Sequence, residues 1–376
     1  MFRASAPLLV AASLLAGCAS DDHRRDGPSP EAVRAQLARL LPPKTADAAG
    51  WAADIQTSFS LLGIAPTAEA LCATIAVIEQ ESSFRSDPSV PNLGEIAWKE
   101  IDARAERIGV PSFVVRTALR VESPDGRSYG ERIDAARTER ELSEIFDDLI
   151  GMVPLGKRLF GSWNPVRTGG PMQVGIAFAE RHAAARRYPF ADARSIRQEV
   201  FTRRGGLYFG IAHLLDYPAS YERSLYRFAD FNAGRYASRN AAFQNAVAIA
   251  AGVPLALDGD LLLEGADLAF PGETERATRR LGARLGLTDA EIRRDLARGT
   301  SIDFEQTTTW RGVLALADAV PPRSGAAPQP VPRAVLPRIK LQGPKITRDL
   351  TTAWFAERVD GRRRTCLARG PAVDAR

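Results

Sequence analysis

The stretch Ile75–Pro88, "IAVIEQESSFRSDP", reads as the end of an amphipathic helix that carries a carboxylate among its apolar positions. On a wheel of roughly 100° per residue counted from Leu71, the apolar arc, which includes Ile78, runs from about 240° through zero to about 40°. Glu81 falls inside this arc near 280°, whereas Glu79 falls outside it near 80°. A carboxyl group turned toward apolar neighbours loses hydration, which raises its pKa and suits a general acid. The helix alone leaves open whether Glu81 is such an acid or a surface residue at a helix end.

The first residues predict export and lipid attachment. A basic start at Arg3 precedes an apolar run that is too short to span a bilayer comfortably and that ends in Leu15-Ala16-Gly17-Cys18. This ending resembles the lipobox of bacterial lipoproteins, so we expect residues 1–17 to be a signal peptide and Cys18 to be acylated. By the same resemblance, Ala19 in place of aspartate after the cysteine implies the periplasmic face of the outer membrane, with residues 18–30 as a tether. An ordinary cleaved signal peptide with an incidental cysteine is the alternative.

The composition indicates a folded protein of enzyme size and argues against several function classes. The 376 residues are 45% hydrophobic and carry a net charge of +5, and most of the positively charged residues are arginines. No clustered basic stripe is visible, so we expect no nucleic-acid partner. The three histidines are scattered without metal-ligand spacing, and no nucleophile elbow, phosphate loop or dinucleotide fingerprint is present. We therefore expect neither a metal nor a cofactor.

Apolar spacing predicts a mainly α fold. A helix start is clear at Ser29-Pro30, and only 338–342, "RIKLQ", is a candidate strand. Residues 321–337 hold six prolines and predict an extended arm. The predicted helices cover about 45–61, 67–83, 94–108, 113–120, 127–150, 173–187, 194–216, 220–233, 239–251, 272–285, 288–297 and 308–319.

Two further stretches carry side chains that suit sugar binding. "GGPMQVG" (169–175) combines a glycine-rich turn with Met172 and Gln173, and "RFADFNAGRYASRN" (227–240) places Phe231 and Asn232 on a helix that ends at Gly234. Apolar groups with a few amides fit sugar rings, which present hydrophobic faces and hydroxyls. Each stretch alone is equally compatible with core packing or an ordinary turn. A third, "GGLYFG" (205–210), predicts a close helix contact made by small residues rather than a ligand loop.

In this order the segments resemble the motifs of the lysozyme-like lytic transglycosylases of bacterial cell walls. Members of that group carry Glu-Ser-x-Phe at a helix end, here 81–84, then a Gly-Leu-Met-Gln turn, here 170–173, and then Ala-Tyr-Asn-Ala-Gly, here 230–234. The run at 210–214 is similar to the helix that those enzymes place before the third motif. The matched segments span about 67–240, and the whole chain looks like a family of bacterial lipoproteins of unassigned function within that superfamily.

The resemblance implies a lysozyme-like domain over 31–250, followed by a helical extension over 251–320 and a proline-rich linker and tail over 321–376. It implies that Glu81 is a single acid/base that cleaves peptidoglycan glycan strands with formation of a 1,6-anhydro sugar, without the second carboxylate of other glycosidases. It also implies five substrate-binding residues, Ser82, Met172, Gln173, Phe231 and Asn232. Of these, Met172 and Phe231 would support the groove.

Several positions depart from the family pattern. Residues 85–165 form an insertion between the first two motifs, and Pro171 and Gly175 replace the usual residues. Phe231 replaces a tyrosine, so either activity is lower or Tyr208, Tyr226 or Tyr236 substitutes for the missing hydroxyl. A muramidase that uses water, and a lipoprotein that binds the wall without catalysis, therefore remain alternatives. The sequence also leaves open whether Cys72 and Cys366 pair, and the basic run 361–366, "GRRRTC", predicts a solvated tail.

Overall fold

Helices account for nearly all regular structure of the chain, as the apolar spacing predicts. A computed structural model describes residues 27–155, 158, 161–321, 329–340 and 350–370. The predicted signal peptide, Cys18 and most of the proline-rich arm lie outside these residues. The helices are α1 (Pro30–Leu40), α2 (Ala48–Leu62), α3 (Ala68–Glu81), α4 (Leu93–Arg107), α5 (Ser112–Ala118), α6 (Tyr129–Ala135), α7 (Glu139–Gly151), α8 (Ile176–Ala185), α9 (Ile196–Val200), α10 (Arg203–Leu215), α11 (Ser224–Ala233), α12 (Ala237–Ala251), α13 (Glu273–Arg279), α14 (Gly282–Leu285), α15 (Asp289–Leu296), α16 (Thr308–Asp318) and α17 (Thr352–Leu367).

Three of the predicted helices are each divided in two by an internal break. The predicted helix 127–150 is interrupted because Thr138 and Glu141 form a reciprocal cap that starts α7. The predicted helix 194–216 is interrupted because the Thr202 hydroxyl accepts from the backbone of Gly205 and starts α10. The predicted helix 272–285 divides into α13 and α14. The candidate strand at 338–342 contributes one isolated bridge, from Lys340 to Thr351.

The strands of the described residues are two short ones, and they form a hairpin. β1 (Thr168–Gly169) pairs antiparallel with β2 (Val174–Gly175). Within the described residues, no helix is both long and apolar enough to cross a membrane.

A large central core gathers elements from both ends of the chain. It contains the apolar faces of α1, α2 and α3, the hairpin, α8 to α11, and α17. The predicted tail, 338–376, is therefore in part a component of this core and not a separate segment. The deepest side chains of the core include Leu37, Ile55, Phe59, Leu71, Ile75, Ile78, Met172, Leu207, Phe209 and Phe228.

The predicted insertion contains a small core of its own. Trp98, Leu119, Tyr129, Ile133 and Ile145 from α4 to α7 and the adjoining turns pack together. The Trp98 indole N–H donates to Asp134 at 2.6 Å, which ties α4 to α6. A helical unit thus stands between the first and second motif segments.

A third core is built by α12 to α16, so α12 belongs with the helices that follow it and not only with the 31–250 unit. Arg239 of α12 is fully buried, and its guanidinium donates to the carbonyls of Ser301 at 2.7 Å and Gly299 at 2.5 Å. It also stacks on Tyr236, 4.2 Å from the ring centre. A buried arginine saturated in this way holds α12 to the segment between α15 and α16.

The C-terminal helix α17 lies against α3 and α11, and the prediction of a solvated tail at 361–366 is wrong. Cys366 is buried and forms a disulfide with Cys72 of α3. Arg362 donates to Glu79 at 2.5 Å and Arg363 donates to Glu69 at 2.6 Å. Two of the three arginines of this basic run therefore neutralise acidic groups of the helix that carries Glu81.

Reduction of the Cys72–Cys366 bridge is expected to lower the free energy of unfolding by roughly 2–5 kcal/mol, because a crosslink between distant residues restricts the unfolded chain. The measurement is urea unfolding of the chain from Ala19 to Arg376, with and without reductant. A variant with both Cys72→Ser and Cys366→Ser is the control and should not respond to reductant. Equal unfolding midpoints in the two redox states, with two free thiols titrated after reduction, would contradict the expectation.

Candidate functional site

Glu81 is the last residue of α3, and it is half-buried. The Thr67 hydroxyl caps the start of this helix by accepting from the Ala70 N–H. Ser83 and Phe84 follow Glu81 with φ of 50° and 60°, a left-handed conformation that side chains with a Cβ rarely adopt. Such strain persists where the surroundings enforce it, and it concentrates at functional sites.

The residues around Glu81 hold this turn in place. The Phe84 ring packs edge-on against Trp51 of α2 at 5.3 Å between centroids. The Ser82 hydroxyl is buried and donates to the carbonyl of Ile78 at 3.1 Å. Ser82 therefore satisfies the end of its own helix, and its predicted contact with substrate stays a prediction.

The second segment is the turn between β1 and β2, and it packs directly on α10. A Cβ added to Gly170 would stand 2.0 Å from the carbonyl oxygen of Val200. One added to Gly206 would stand 2.4 Å from Pro171, and one added to Gly210 would stand 2.5 Å from the sulfur of Met172. The prediction that 205–210 makes a close small-residue contact is confirmed.

Met172 and Gln173 have different environments within this turn. Met172 is fully buried, so it supports the turn from the core side. Gln173 is half-buried and left-handed, with φ of 50°. Its Oε1 accepts from the Thr168 hydroxyl at 3.3 Å and its Nε2 donates to the Gly170 carbonyl at 3.3 Å. Both ends of the Gln173 amide thus have weak partners inside the hairpin, which any ligand of this amide has to displace or share.

The third segment is fixed by a buried carboxylate that the sequence did not single out. Asp230 of α11 accepts hydrogen bonds from the hydroxyls of Tyr217, at 3.0 Å, and Tyr221. It also accepts from the backbone N–H groups of Tyr236 at 3.2 Å and Ser238 at 2.7 Å. Burial raises the pKa of Asp230, while these hydrogen bonds oppose the rise. The network locks the chain reversal between α11 and α12, which directly follows Asn232.

Phe231 is half-buried and lies against His213 of α10. Their ring centres are 5.1 Å apart, and Nε2 of His213 lies 3.3 Å from the Phe231 carbonyl oxygen. The Phe178 ring also packs against the imidazole, with ring centres 4.5 Å apart. Burial, with a further contribution from Arg235, lowers the pKa of His213 to about 4. The imidazole is therefore neutral near pH 7 and positions the third segment on α10.

Asn232 is exposed, and it contacts the C-terminal helix. The Thr352 hydroxyl at the start of α17 donates to its Oδ1 at 3.0 Å. Among the described residues, no hydrogen bond occupies the Asn232 Nδ2, which leaves that donor for a ligand. This contact joins residues 120 positions apart, and no local sequence signal predicts it.

The three segments therefore border one structural unit, the helix α10 and the central core around it. The hairpin packs on its glycines, His213 contacts Phe231, and α3 packs against the same helix. Tyr208 and Tyr236 are buried, which removes them as replacements for the tyrosine hydroxyl missing at Phe231. Tyr226 is half-buried on α11.

Comparison with known proteins identifies the family. The chain belongs to the family described as "Protein of unknown function (DUF1615)", whose model matches residues 44–369. It is similar to the "Uncharacterized protein YaiW" of Escherichia coli (strain K12), with 54% identity over 361 residues that cover 96% of each chain. No solved structure matches the chain. Because the family range includes α17, the C-terminal helix is part of the shared domain and not an appendage.

His213 is expected to make the stability of the chain depend on pH. Its pKa is lowered from 6.5 to about 4 on folding, so between these values the unfolded state binds a proton that the folded state does not. Stability should therefore rise with pH across this window, with a contribution of the order of 2–3 kcal/mol. Urea unfolding at pH 4.5 and pH 7 measures it. His213→Gln should show a smaller pH difference than the parent chain, and an unchanged difference would contradict the assignment.

Proposed function

We propose that this protein is a peptidoglycan lytic transglycosylase in which Glu81 is the single acid/base. Glu81 donates its proton to the glycosidic oxygen between N-acetylmuramic acid and N-acetylglucosamine as the bond breaks. The resulting carboxylate then takes the proton of the muramic C6 hydroxyl while that oxygen bonds to C1. The product is a 1,6-anhydro sugar, and Glu81 regains its proton. Water and a second carboxylate take no part.

The observation that supports the proposal most strongly is the arrangement of the three segments around α10. Each segment places a polar side chain, Glu81, Gln173 or Asn232, at the end of an element packed on one core. Seven non-glycine residues of the described chain have a positive φ, and four of them are Ser83, Phe84, Gln173 and Tyr236, in or directly after these segments. Backbone strain concentrated in the three segments favours a function for them over a purely structural role.

The side chains divide into those that contact substrate and those that hold them. The Gln173 amide and the Nδ2 of Asn232, which has no hydrogen-bond acceptor among the described residues, are the groups that hydrogen-bond the sugars. Met172, buried beneath the turn, and Phe231, packed on His213, support the groove. Ser82 fixes the end of α3. The substrate-binding set that the sequence predicts thus reduces to two direct contacts and three supporting residues.

The proposal includes attachment to the outer membrane through an acylated Cys18. Lipid chains on this residue would hold the protein at the periplasmic face of that membrane, and residues 18–30 would let the folded part reach the wall. The polymer is anionic, and the formal charge of +5 favours contact with it.

A second candidate function is binding of the wall without catalysis. Two observations favour it: the hydrogen bonds that occupy both ends of the Gln173 amide, and the phenylalanine at 231 in place of a hydroxyl-bearing ring. A muramidase on the same scaffold is a third possibility, and it differs in leaving a reducing sugar end.

Glu81→Gln is expected to reduce cleavage of purified peptidoglycan by about 10²–10⁴-fold, because the amide cannot transfer the proton. Mass spectrometry of the products formed by the chain from Ala19 to Arg376 measures the effect. Glu79→Gln is the matched control, since Glu79 lies on the same helix and pairs with Arg362. It should retain cleavage.

The identity of the products separates the three candidates. Anhydro-muropeptides from the parent and from Glu79→Gln, but not from Glu81→Gln, support the transglycosylase. Reducing ends instead would identify a muramidase. No product from the parent, where a known lytic enzyme works and the wall is still bound, would contradict catalysis and favour the binding protein.

Phe231→Tyr is expected to raise the rate of cleavage by about fivefold, which corresponds to one added hydrogen bond of about 1 kcal/mol. The ring is half-buried against His213, so its far edge has room to carry a hydroxyl toward solvent. The rate of muropeptide release measures the gain. Phe178→Tyr, which changes another ring packed against His213, is the control. A folded Phe231→Tyr chain with an unchanged rate would argue against a substrate-facing position for this ring.

A further inference from the structure

A charged cleft of about 420 Å³ lies between the inserted helices and the central core. One wall is α7, which contributes Ser143, Glu144 and Asp147. The other wall is the segment 192–204, which contributes Arg194 and Arg197. The volume falls in the range of small-molecule and peptide sites, roughly 300–1,000 Å³.

Both walls of this cleft are joined to the candidate site. Arg140, at its edge, pairs through Nε with Asp87 at 3.1 Å, six residues after Glu81. On the opposite wall the Phe201 ring fills the space beside Gly169, so closely that a Cβ at Gly169 would stand 2.3 Å from it. The cleft therefore adjoins the segment after Glu81 and the back of the turn that carries Gln173.

Some of the charged groups that line the cleft already form ion pairs with one another. Arg204 donates to both oxygens of Glu199 at 3.1 Å and pairs with Asp192 at 2.9 Å. Glu199 also accepts from the Tyr188 hydroxyl at 2.8 Å. These groups form a closed network, and none of them is needed by a ligand.

Of the remaining charged groups, the arginines lie on the 192–204 wall and the carboxylates lie on α7. Arg194 is exposed and makes no ion pair among the described residues. Arg197 uses only Nη1, which donates to the Val166 carbonyl at 3.0 Å and reaches the Ser143 hydroxyl at 3.5 Å. Across the cleft, Glu144 has only a distant partner, the Nε of Arg140 at 3.9 Å. Asp147 accepts from Asn164 through Oδ1, and its charge also interacts with the guanidinium of Arg197 across the cleft.

We propose that this cleft binds a short peptide that carries both carboxylate and ammonium groups. Carboxylates pair with Arg194 and Arg197, because guanidinium groups hold carboxylates in a two-point geometry. An ammonium group pairs with Glu144 and Asp147 on α7. This inference rests on the proposed function: the peptide is the stem carried by muramic acid, which would bring it beside the glycan at Glu81. The inserted helices supply the anionic wall, and that gives the insertion a role in substrate selection.

The experiment is calorimetric titration of the chain from Ala19 to Arg376, in its Glu81→Gln form, with the free stem tripeptide of alanine, γ-linked glutamate and diaminopimelate. Arg194→Gln and Glu144→Gln are each expected to weaken binding about three- to tenfold, the effect of losing one partly exposed ion pair with a ligand. Arg298→Gln, at an exposed arginine of the third core, is the control and should leave binding unchanged.

Acetylation of the peptide amines provides the matching change in the ligand. The acetylated peptide should bind the Glu81→Gln chain more weakly than the free peptide does. Adding Glu144→Gln should not weaken binding of the acetylated peptide further, whereas adding Arg194→Gln should. No binding of the tripeptide, or equal binding by all variants, would overturn the inference even if the parent cleaves peptidoglycan. Binding with the expected pattern supports the cleft even if no cleavage product forms, so failure here is distinct from failure of the proposed reaction.

Discussion

The close packing of the hairpin turn on α10 is the contact on which the candidate site depends. The turn approaches α10 closely because positions 206 and 210 are glycine, where a Cβ would stand 2.4 Å from Pro171 and 2.5 Å from Met172, and Gly170 of the turn likewise lies against the Val200 carbonyl at the end of α9. The same helix carries His213, which contacts Phe231. Helix α10 thus sets the positions of the second and third segments, and α3 packs against it with Glu81 at its end.

The C-terminal helix provides the second constraint. A disulfide near the start of α3, ion pairs along that helix and the Thr352–Asn232 hydrogen bond hold α17 between the first and third segments. Arg362 and Arg363 of the basic run at its end form ion pairs with α3 in this packing. The family range includes this helix, and the disulfide joins it to α3 across 294 residues of sequence.

Local signals in the sequence were sufficient to predict most of the helices and to find the candidate motifs in their order. Helix caps at Ser29 and Thr67, and the glycines at 205–210, each act over a few residues and are visible in one chain. The Asp230 network was not predictable, since its tyrosines come from a loop and its amides from the next helix. The docking of α17 depends on residues far apart in the chain, and the inner breaks of long predicted helices arise from caps at Thr138 and Thr202 that apolar spacing alone does not show.

The most direct test of the central claim is a crystal structure of the Glu81→Gln chain with a tetrasaccharide of alternating N-acetylglucosamine and N-acetylmuramic acid. We expect a glycosidic oxygen about 3 Å from the side-chain amide at position 81, with Gln173 and Asn232 in contact with the flanking sugars. A tetrasaccharide bound on another face of the protein, with its glycosidic oxygens out of reach of position 81, would contradict it.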